Sequence, residues 1–410
     1  MSNGPFRFLH ASDFHLEMPP HGVAEVPEHL TDLFLEAPYA AAEQVFETAL
    51  AEEVGFVVLS GDLLDPQHTG PRGPLFLVEQ FARLAERGIP VYWAGGAVDP
   101  PEVWPTAIRL PENVHRFPVG RVESFTAQRE GSPLACILGA SRDARHSIRA
   151  GEFSPSPGGL ITVAAVHGAA EPEALQQRGL HYWALGGRHH RSTPLSVPTL
   201  VHWPGSPQGR RPSESGMHGC TVVHVDEQAR LRNTLTTTDV LRWLSERLVV
   251  DEATSRDTLE TQLRERMHTL RETNSNVDLI ISWVIAGAGP LLGKLRRGPL
   301  AAELLEWLRG EYGYGSPSAW SLAIEAEPSL MLPPEWFEQE TIRADFLRAI
   351  RHYERSPEEP LDLDVYLPEG ELAEVIGPGL ALADPPARKR ALREAALLGV
   401  DLLTGKEASS

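Results

Sequence analysis

Aspartate and histidine recur at the ends of apolar runs in this chain. Asp13 and His15 follow FRFLHA as SDFH, Asp62 follows GFVVLSG, His167 closes LITVAAVH, and His189 follows YWALGGR. Two residues apart in extended chain, Asp13 and His15 would point to the same side. Carboxylates and imidazoles converging at one sheet edge make an oxygen/nitrogen site suited to manganese, iron or zinc. Each piece is weak alone; the ordered set, one member per strand end, is specific. The chain has only two cysteines, Cys136 and Cys220, each inside an apolar run. Two buried free thiols are expected, and no thiolate metal site is available. A thiolate-free donor set suits hydrolytic rather than structural metal chemistry. One strand end departs from the pattern. PVYWAGGAVDP (90–100) enters its turn with Gly, Gly, Ala and Val, and no reactive side chain precedes Asp99.

The elements that must position these residues alternate between strand and helix signals over residues 1–238. Strands are expected at 6–12, 55–62, 89–95, 134–140 and 160–168, with helices at 38–53, 74–88 and, briefly, 171–178. The strands at 181–187, 198–205 and 220–226 have little helix between them, which suggests an antiparallel or mixed second sheet. A layered α/β domain follows, two sheets sandwiched between helices. Residues 239–328 read as a small α+β domain. Its helix at 255–271 carries Leu259, Leu263, Met267 and Leu270 at helical spacing, and VDLIISWVI alternates through Val277, Leu279, Ile281, Trp283 and Ile285. Residues 329–410 hold two helices around a Pro/Glu-rich stretch (356–385). These helices either pack back on the body or are offered to a partner.

With 410 residues, of which 42% are hydrophobic, the chain is too long for one compact core. No apolar stretch reaches the ~20 residues that span a bilayer. The opening MSNGPFRFLHAS lacks the pattern of a secretion signal, so a cytoplasmic location and no membrane association are expected. The net charge of −19 opposes nucleic-acid binding by the whole surface and leaves room for a local basic groove. Arg188 with Arg191, and Arg210 with Arg211, flank the candidate site and are the candidate phosphate contacts. Further basic clusters lie at Lys294, Arg296 and Arg297, and from Arg388 to Arg393; solvated surface charge is the plainer reading for most of them.

LHASDFHLE, LSGDLLD, IPVYWAGGAVD, AVHG and YWALGGRHHR, in that order, resemble the motifs of the calcineurin-like metallophosphoesterases, in their DNA-repair exonuclease branch of SbcD and YhaO type. VHWPGSPQGRRPSESGMHGCTVVHVD is especially YhaO-like. The resemblance implies a two-sheet metallophosphoesterase sandwich flanked by helices (1–238), a capping domain (239–328) and C-terminal helices (329–410). It further implies contacts with DNA and with an SMC-like ATPase of SbcC or YhaN type, and divalent metal, manganese foremost. By the same resemblance, one metal site takes Asp13, His15, Asp62 and His189, all present. The second shares Asp62 and uses His167, but its other two ligand positions hold Ala97 and Gly187, and the catalytic histidine's position holds Val98.

Ala97, Val98 and Gly187 offer neither a ligand atom nor a proton-transferring group, so one strongly held metal is expected. Among neighbours, His68 sits on a loop from which it could swing in. His190 should point away from His189, and Arg188 either takes the place of the second metal's charge or reaches solvent. Three readings remain open: a DNA-binding, catalytically impaired subunit of an ATPase complex; an active phosphodiesterase or exonuclease with a rearranged site; and a non-enzymatic interaction module. A homodimer is compatible with each.

Overall fold

A computed structural model describes residues 4–23, 26–66, 70–142, 150–156, 158–168, 170–287, 289–327, 334–357, 359, 361 and 385–404. The chain divides into two compact units. One comprises 1–245, 268–282 and 307–322; the other comprises 246–267, 283–306 and 323–410.

Alternating apolar side chains build the larger unit. Strands β1 (Phe6–Ala11), β2 (Val57–Leu59) and β3 (Val91–Trp93) are buried apart from Arg7, as parallel strands covered on both faces must be. Phe6, Phe8, Phe56, Val58 and Tyr92 face one way and pack with Ile137, Val163, Tyr182 and Ala184 of the second sheet. Leu9, Ala11, Val57, Leu59, Val91 and Trp93 face the other way. They pack with Val45, Phe46 and Ala49 of α1 (Thr31–Ala51) and with Leu77, Phe81 and Leu84 of α2 (Arg72–Glu86).

The first sheet is completed by β4 (Val114–Arg116), β11 (Gly219–Val225) and β12 (Leu231–Thr237), in the order β12-β11-β1-β2-β3-β4. Strands β1 to β4 run parallel, and β11 lies antiparallel to β1 with Phe8 opposite Val223. The second sheet contains β5 (Glu123–Arg129), β6 (Ser132–Ala140), β7 (Ile161–His167), β8 (Tyr182–Gly186), β9 (Ser192–Leu195) and β10 (Leu200–Trp203), in the order β5-β6-β7-β8-β10-β9. It is mixed, with antiparallel strands only at its edges. Its outer face buries Trp183, Leu185, Val201 and Trp203 with Leu175 of the short helix α3 (Pro172–Gln176). The strand around Cys220, grouped by sequence with the later strands, crosses back to the first sheet. Its Val223 and Val225 complete the inter-sheet core, where pairing with β1 covers them. Both cysteines are buried and free.

Three further strands, β13 (Leu241–Val250), β14 (Asp278–Gly287) and β15 (Ala319–Ala326), form a sheet in that order. Helices α4 (Arg256–Thr273), α5 (Pro290–Arg297) and α6 (Leu300–Tyr312) alternate with them. Of the alternating set read in VDLIISWVI, Leu279, Ile281, Trp283 and Ile285 are buried, whereas Val277 precedes the strand and is half-buried, and Ile280 on the other face is buried too. In the smaller unit α7 (Ile342–Arg355) pairs with α8 (Pro385–Thr404) through Leu347, Ala396 and Val400. The Thr341 hydroxyl caps α7 by accepting the Ala344 N–H. From the C-terminal basic cluster, Arg388 donates to the Glu359 carbonyl at 2.7 Å. Among the described residues no helix is long and apolar enough to cross a membrane.

Candidate metal centre

The chemistry-bearing residues collect at the C-terminal ends of parallel strands, where α/β sheets place their ligands. Asp13 and His15 follow β1, Asp62 follows β2, the 95–99 turn follows β3, His167 ends β7, and Gly187 to His189 follow β8.

The Asp13–His15 segment is not the extended pair expected from spacing. Asp13 (φ 57°), His15 (φ 44°) and Asp62 (φ 55°) all adopt left-handed backbone, at a cost of about 1–2 kcal/mol per non-glycine residue. A backbone ladder holds them there. Asp13 N–H donates to Gly61 O (2.9 Å), His15 N–H to Asp62 O (3.1 Å) and Leu16 N–H to Leu63 O (3.1 Å). The two loops are zipped together, and that zipper brings Asp13, His15 and Asp62 to one place. Concentrated local strain of this kind is characteristic of functional sites.

Asp13 is fully buried and accepts from the Ser12 hydroxyl (2.6 Å) and from Gly187 N–H (3.0 and 3.1 Å to its two oxygens). Burial raises its pKa. His167 Nδ1–H donates to Ser60 O at 2.8 Å, which turns Nε2 toward Asp62, 3.3 Å away. Burial opposes a charge on His167, but Asp62 and Asp13 outweigh it and lift its pKa to about 9. Burial likewise opposes ionisation of Asp62, and the His167 hydrogen bond and charge overcome it, bringing its pKa to about 2. His15 is held near 3 by burial and then by the charge of Arg210. His189 Nδ1 lies 2.9 Å from Glu214 Oε1. Glu214, despite its burial, is brought to about 2, chiefly by that hydrogen bond.

Two groups of donor atoms, Asp13–His15–His189 and Asp13–Asp62–His167, each lie within a 4.8 Å span. Buried carboxylate oxygens and imidazole nitrogens so disposed fit a hard or borderline divalent ion, and the partners at Ser60 and Glu214 orient the histidines as metal-site neighbours do. Asp13 is common to both groups, a place the family resemblance gives to Asp62.

The inert turn has a backbone task. Asp99 is buried, and its carboxylate accepts the N–H groups of Asp62 (2.9 Å), Leu63 (2.9 Å) and Gly96 (2.6 Å). Burial and the Asp62 charge push its pKa up to about 7 against those three donors. Val98 N–H donates to Asp62 Oδ1 at 3.2 Å. A Cβ on Gly96 would lie 2.1 Å from that same oxygen, so only glycine fits. Ala97 is exposed and Val98 half-buried. Gly187 adopts φ +87°, and a Cβ there would stand 3.1 Å from His167 Nε2.

The four flanking arginines separate. Arg188 stacks on Trp203, 4.1 Å from the ring centre. Arg191 turns inward to Thr221 (3.1 Å) and His202 (2.9 Å). Arg211 binds Glu214 at 2.9 Å. Arg210 reaches the site: its Nη2 lies 3.1 Å from both ring nitrogens of His189. His190 lies 3.1 Å from Ser213 O instead, and His68 falls outside the described residues. Sequence reasoning missed Glu214 and the anchoring role of Asp99. No spacing rule marks either residue, although RRPSE (210–214) puts Glu214 four residues beyond Arg210.

Residues 6–282 match the calcineurin-like phosphoesterase family. The chain belongs to that family. This metallophosphoesterase is 30% identical to the metallophosphoesterase YhaO of Bacillus subtilis over 335 residues, which cover 78% of this chain and 81% of YhaO. It is 33% identical over 97 residues to the DNA double-strand break repair protein Mre11 of Aeropyrum pernix, a stretch covering 24% of this chain and 22% of Mre11. These likenesses support the DNA-repair exonuclease-like branch of the calcineurin-like metallophosphoesterases. Among solved structures, TT1561 of Thermus thermophilus matches with a TM-score of 0.33 at 13% identity, over 56% of this chain and 98% of that one.

Proposed function

We propose that this metallophosphoesterase is a DNA-repair exonuclease-type subunit built around one divalent ion, catalytically impaired relative to two-metal relatives, that binds DNA and an SMC-like ATPase. The observation that carries the reading is an asymmetry. Asp13, His15 and His189 form one donor group and Asp13, Asp62 and His167 the other, while Ala97, Val98 and Gly187 beside the second offer neither a further ligand atom nor a proton-transferring group. A bound ion, manganese in this proposal, would supply a Lewis acid and a more acidic water for attack at phosphorus. The chain's own part is positional: Glu214 aims His189, Ser60 aims His167, and Asp99 fixes the Asp62 loop. No imidazole stands at position 98 to assist the leaving oxygen, a contribution of roughly 10²–10⁴-fold where one is present.

Anomalous scattering from manganese-soaked crystals tests this. One strongly occupied ion is expected, with little manganese-dependent exonuclease activity on linear duplex DNA; two fully occupied ions would overturn the reading. Deleting 330–410 should abolish association with a co-purifying ATPase, and unchanged association would reject the partner assignment.

A second reading, an active phosphodiesterase with a rearranged site, draws on the intact Asp13–Asp62–His167 group. Robust turnover that disappears in Asp62→Ala would establish it.

A further inference from the structure

The His189 ring meets two charged neighbours, Glu214 and Arg210. Nδ1 lies 2.9 Å from Glu214 Oε1. An ionised carboxylate only accepts, so Nδ1 carries the proton and Nε2 the lone pair, a tautomer assigned from its partners. The Arg210 guanidinium, which only donates, has Nη2 3.1 Å from both ring nitrogens, so it sits against the imidazole with its charge beside the Nε2 lone pair. The same lone pair is the one His189 would bring to the Asp13–His15–His189 group. A metal held there would stand close to the Arg210 charge, and the two cations would repel.

Arg210 is otherwise a cation with donors to spare. The residue is 2% exposed, its Nη1 has the weak acceptor Met18 Sδ at 3.6 Å, and its buried Nε has no hydrogen-bond partner. Its charge faces Glu214, Asp13 and Asp62. Its backbone is pinned, with N–H donating to Glu214 Oε2 (2.9 Å) and the carbonyl accepting from His21 N–H (2.6 Å). Only the side chain is therefore free to change partner. Arg211 differs: its Nε is held by Glu214 and its side chain is 51% exposed.

Resting on the one-metal reading above, we propose that Arg210 is the second cation of this centre. It stands against the His189 ring, where its charge opposes a metal at Nε2, and it donates to the non-bridging oxygens of a substrate phosphate beside that ion. The planar fork of a guanidinium matches phosphate geometry, and its permanent charge faces Asp13 and Asp62.

The test compares the full-length wild-type protein with Arg210→Met and Arg210→Lys by calorimetry. Metal-free protein is titrated with Mn²⁺, and the manganese-loaded protein is then titrated with inorganic phosphate. Arg210→Met should bind Mn²⁺ about tenfold more tightly, because a competing charge is gone, and phosphate at least about tenfold more weakly. Arg210→Lys should stay near wild type for Mn²⁺ and lose part of the phosphate affinity. If circular dichroism shows Arg210→Met unfolded, Arg210→Gln takes its place. Manganese affinity equal to or weaker than wild type in the neutral variant, or phosphate affinity unchanged in it, overturns the proposal. Wild-type protein that takes up no Mn²⁺ defeats the one-metal reading itself, a result distinct from a null difference between variants.

Discussion

Replacing Asp99 with alanine should loosen the loop that carries Asp62. One carboxylate oxygen accepts the N–H groups of Asp62 and Gly96, and the other accepts that of Leu63. The residue is 2% exposed, so its removal strands three buried donors. Each such loss costs about 1–3 kcal/mol. Neighbouring losses are not additive, which puts Asp99→Ala at about 3–6 kcal/mol, large against the ~5–15 kcal/mol that holds a typical domain. Asp99→Asn keeps one oxygen. Placed at the shared position it retains two bonds and opposes the Leu63 N–H with an amide donor, for a loss of about 1–3 kcal/mol.

The effect should extend to the metal centre, because Asp62 O receives the His15 N–H and Val98 N–H supports the Asp62 carboxylate. A drop in Mn²⁺ affinity of about 10–100-fold is expected, as for loss of a group that orients metal ligands. Urea unfolding followed by tryptophan fluorescence, with Mn²⁺ calorimetry, should rank both quantities wild type, Asp99→Asn, Asp99→Ala. An alanine variant that unfolds at the wild-type midpoint and binds Mn²⁺ with wild-type affinity would refute the anchoring argument.

Three other outcomes are expected. Glu214→Gln should weaken Mn²⁺ binding by about 10–100-fold by releasing His189 from its fixed tautomer; unchanged calorimetry would show that His189 needs no such support. Burial and the Arg191 charge hold His202 near pKa 3, whereas an unfolded histidine titrates near about 6.5. Below that value the unfolded chain takes up a proton that the folded one refuses. The stability present at pH 7 is therefore lost as pH falls, by about 2 kcal/mol at about pH 5 from this group. His202→Gln should flatten the decline of the urea midpoint between about pH 7 and 5, and an unaltered slope would exclude His202 as its source. Finally, Ala97→Asn, Val98→His and Gly187→His together should raise manganese-dependent hydrolysis of bis(p-nitrophenyl) phosphate. Stability should fall by about 1–2 kcal/mol, since a non-glycine residue must adopt φ +87° at 187. Continued inactivity in a folded triple variant would mean that the three missing groups are not the only defect.

The strand ends were legible because each apolar run stops within a few residues of its Asp or His, and burial on both faces of a parallel strand writes itself as a continuous run. Local spacing could not supply the backbone conformation at Asp13, His15 and Asp62. The expected extended geometry gives way to left-handed turns stabilised by hydrogen bonds to residues 61–63, almost fifty positions away. Arg191 illustrates the same limit. Its neighbours in sequence suggest an exposed basic pair, whereas its guanidinium bonds Thr221 and His202 in the core between strands. The strand β11 belongs to the first sheet because Val223 and Val225 find their apolar partners beside Phe6 and Phe8. An apolar run alone does not say which sheet it joins.

The 95–99 turn shows how one segment can keep its structural task whatever side chains stand at 97 and 98. Gly61 and Gly96 pack so closely that a Cβ on the first would lie 2.4 Å from the nitrogen of the second. Asp99 ties both loops together through its carboxylate, and these interactions use only backbone groups, glycine and that one side chain. Nothing in them depends on the side chains at 97 and 98, so a metal-binding amide and a proton-handling imidazole can be absent while Asp62 stays in place. Charge does not separate so cleanly. Asp13 and Asp62 remain buried and close, and in a chain of net charge −19 their neutralisation must be local. His167, 3.3 Å from Asp62 and with its pKa raised to about 9, provides part of it, and Arg210, buried against His189, adds a second charge that faces both carboxylates. Under the proposal above, Arg210 and a bound ion answer the same electrostatic demand, and the manganese affinity of Arg210→Met measures how far one cation substitutes for the other.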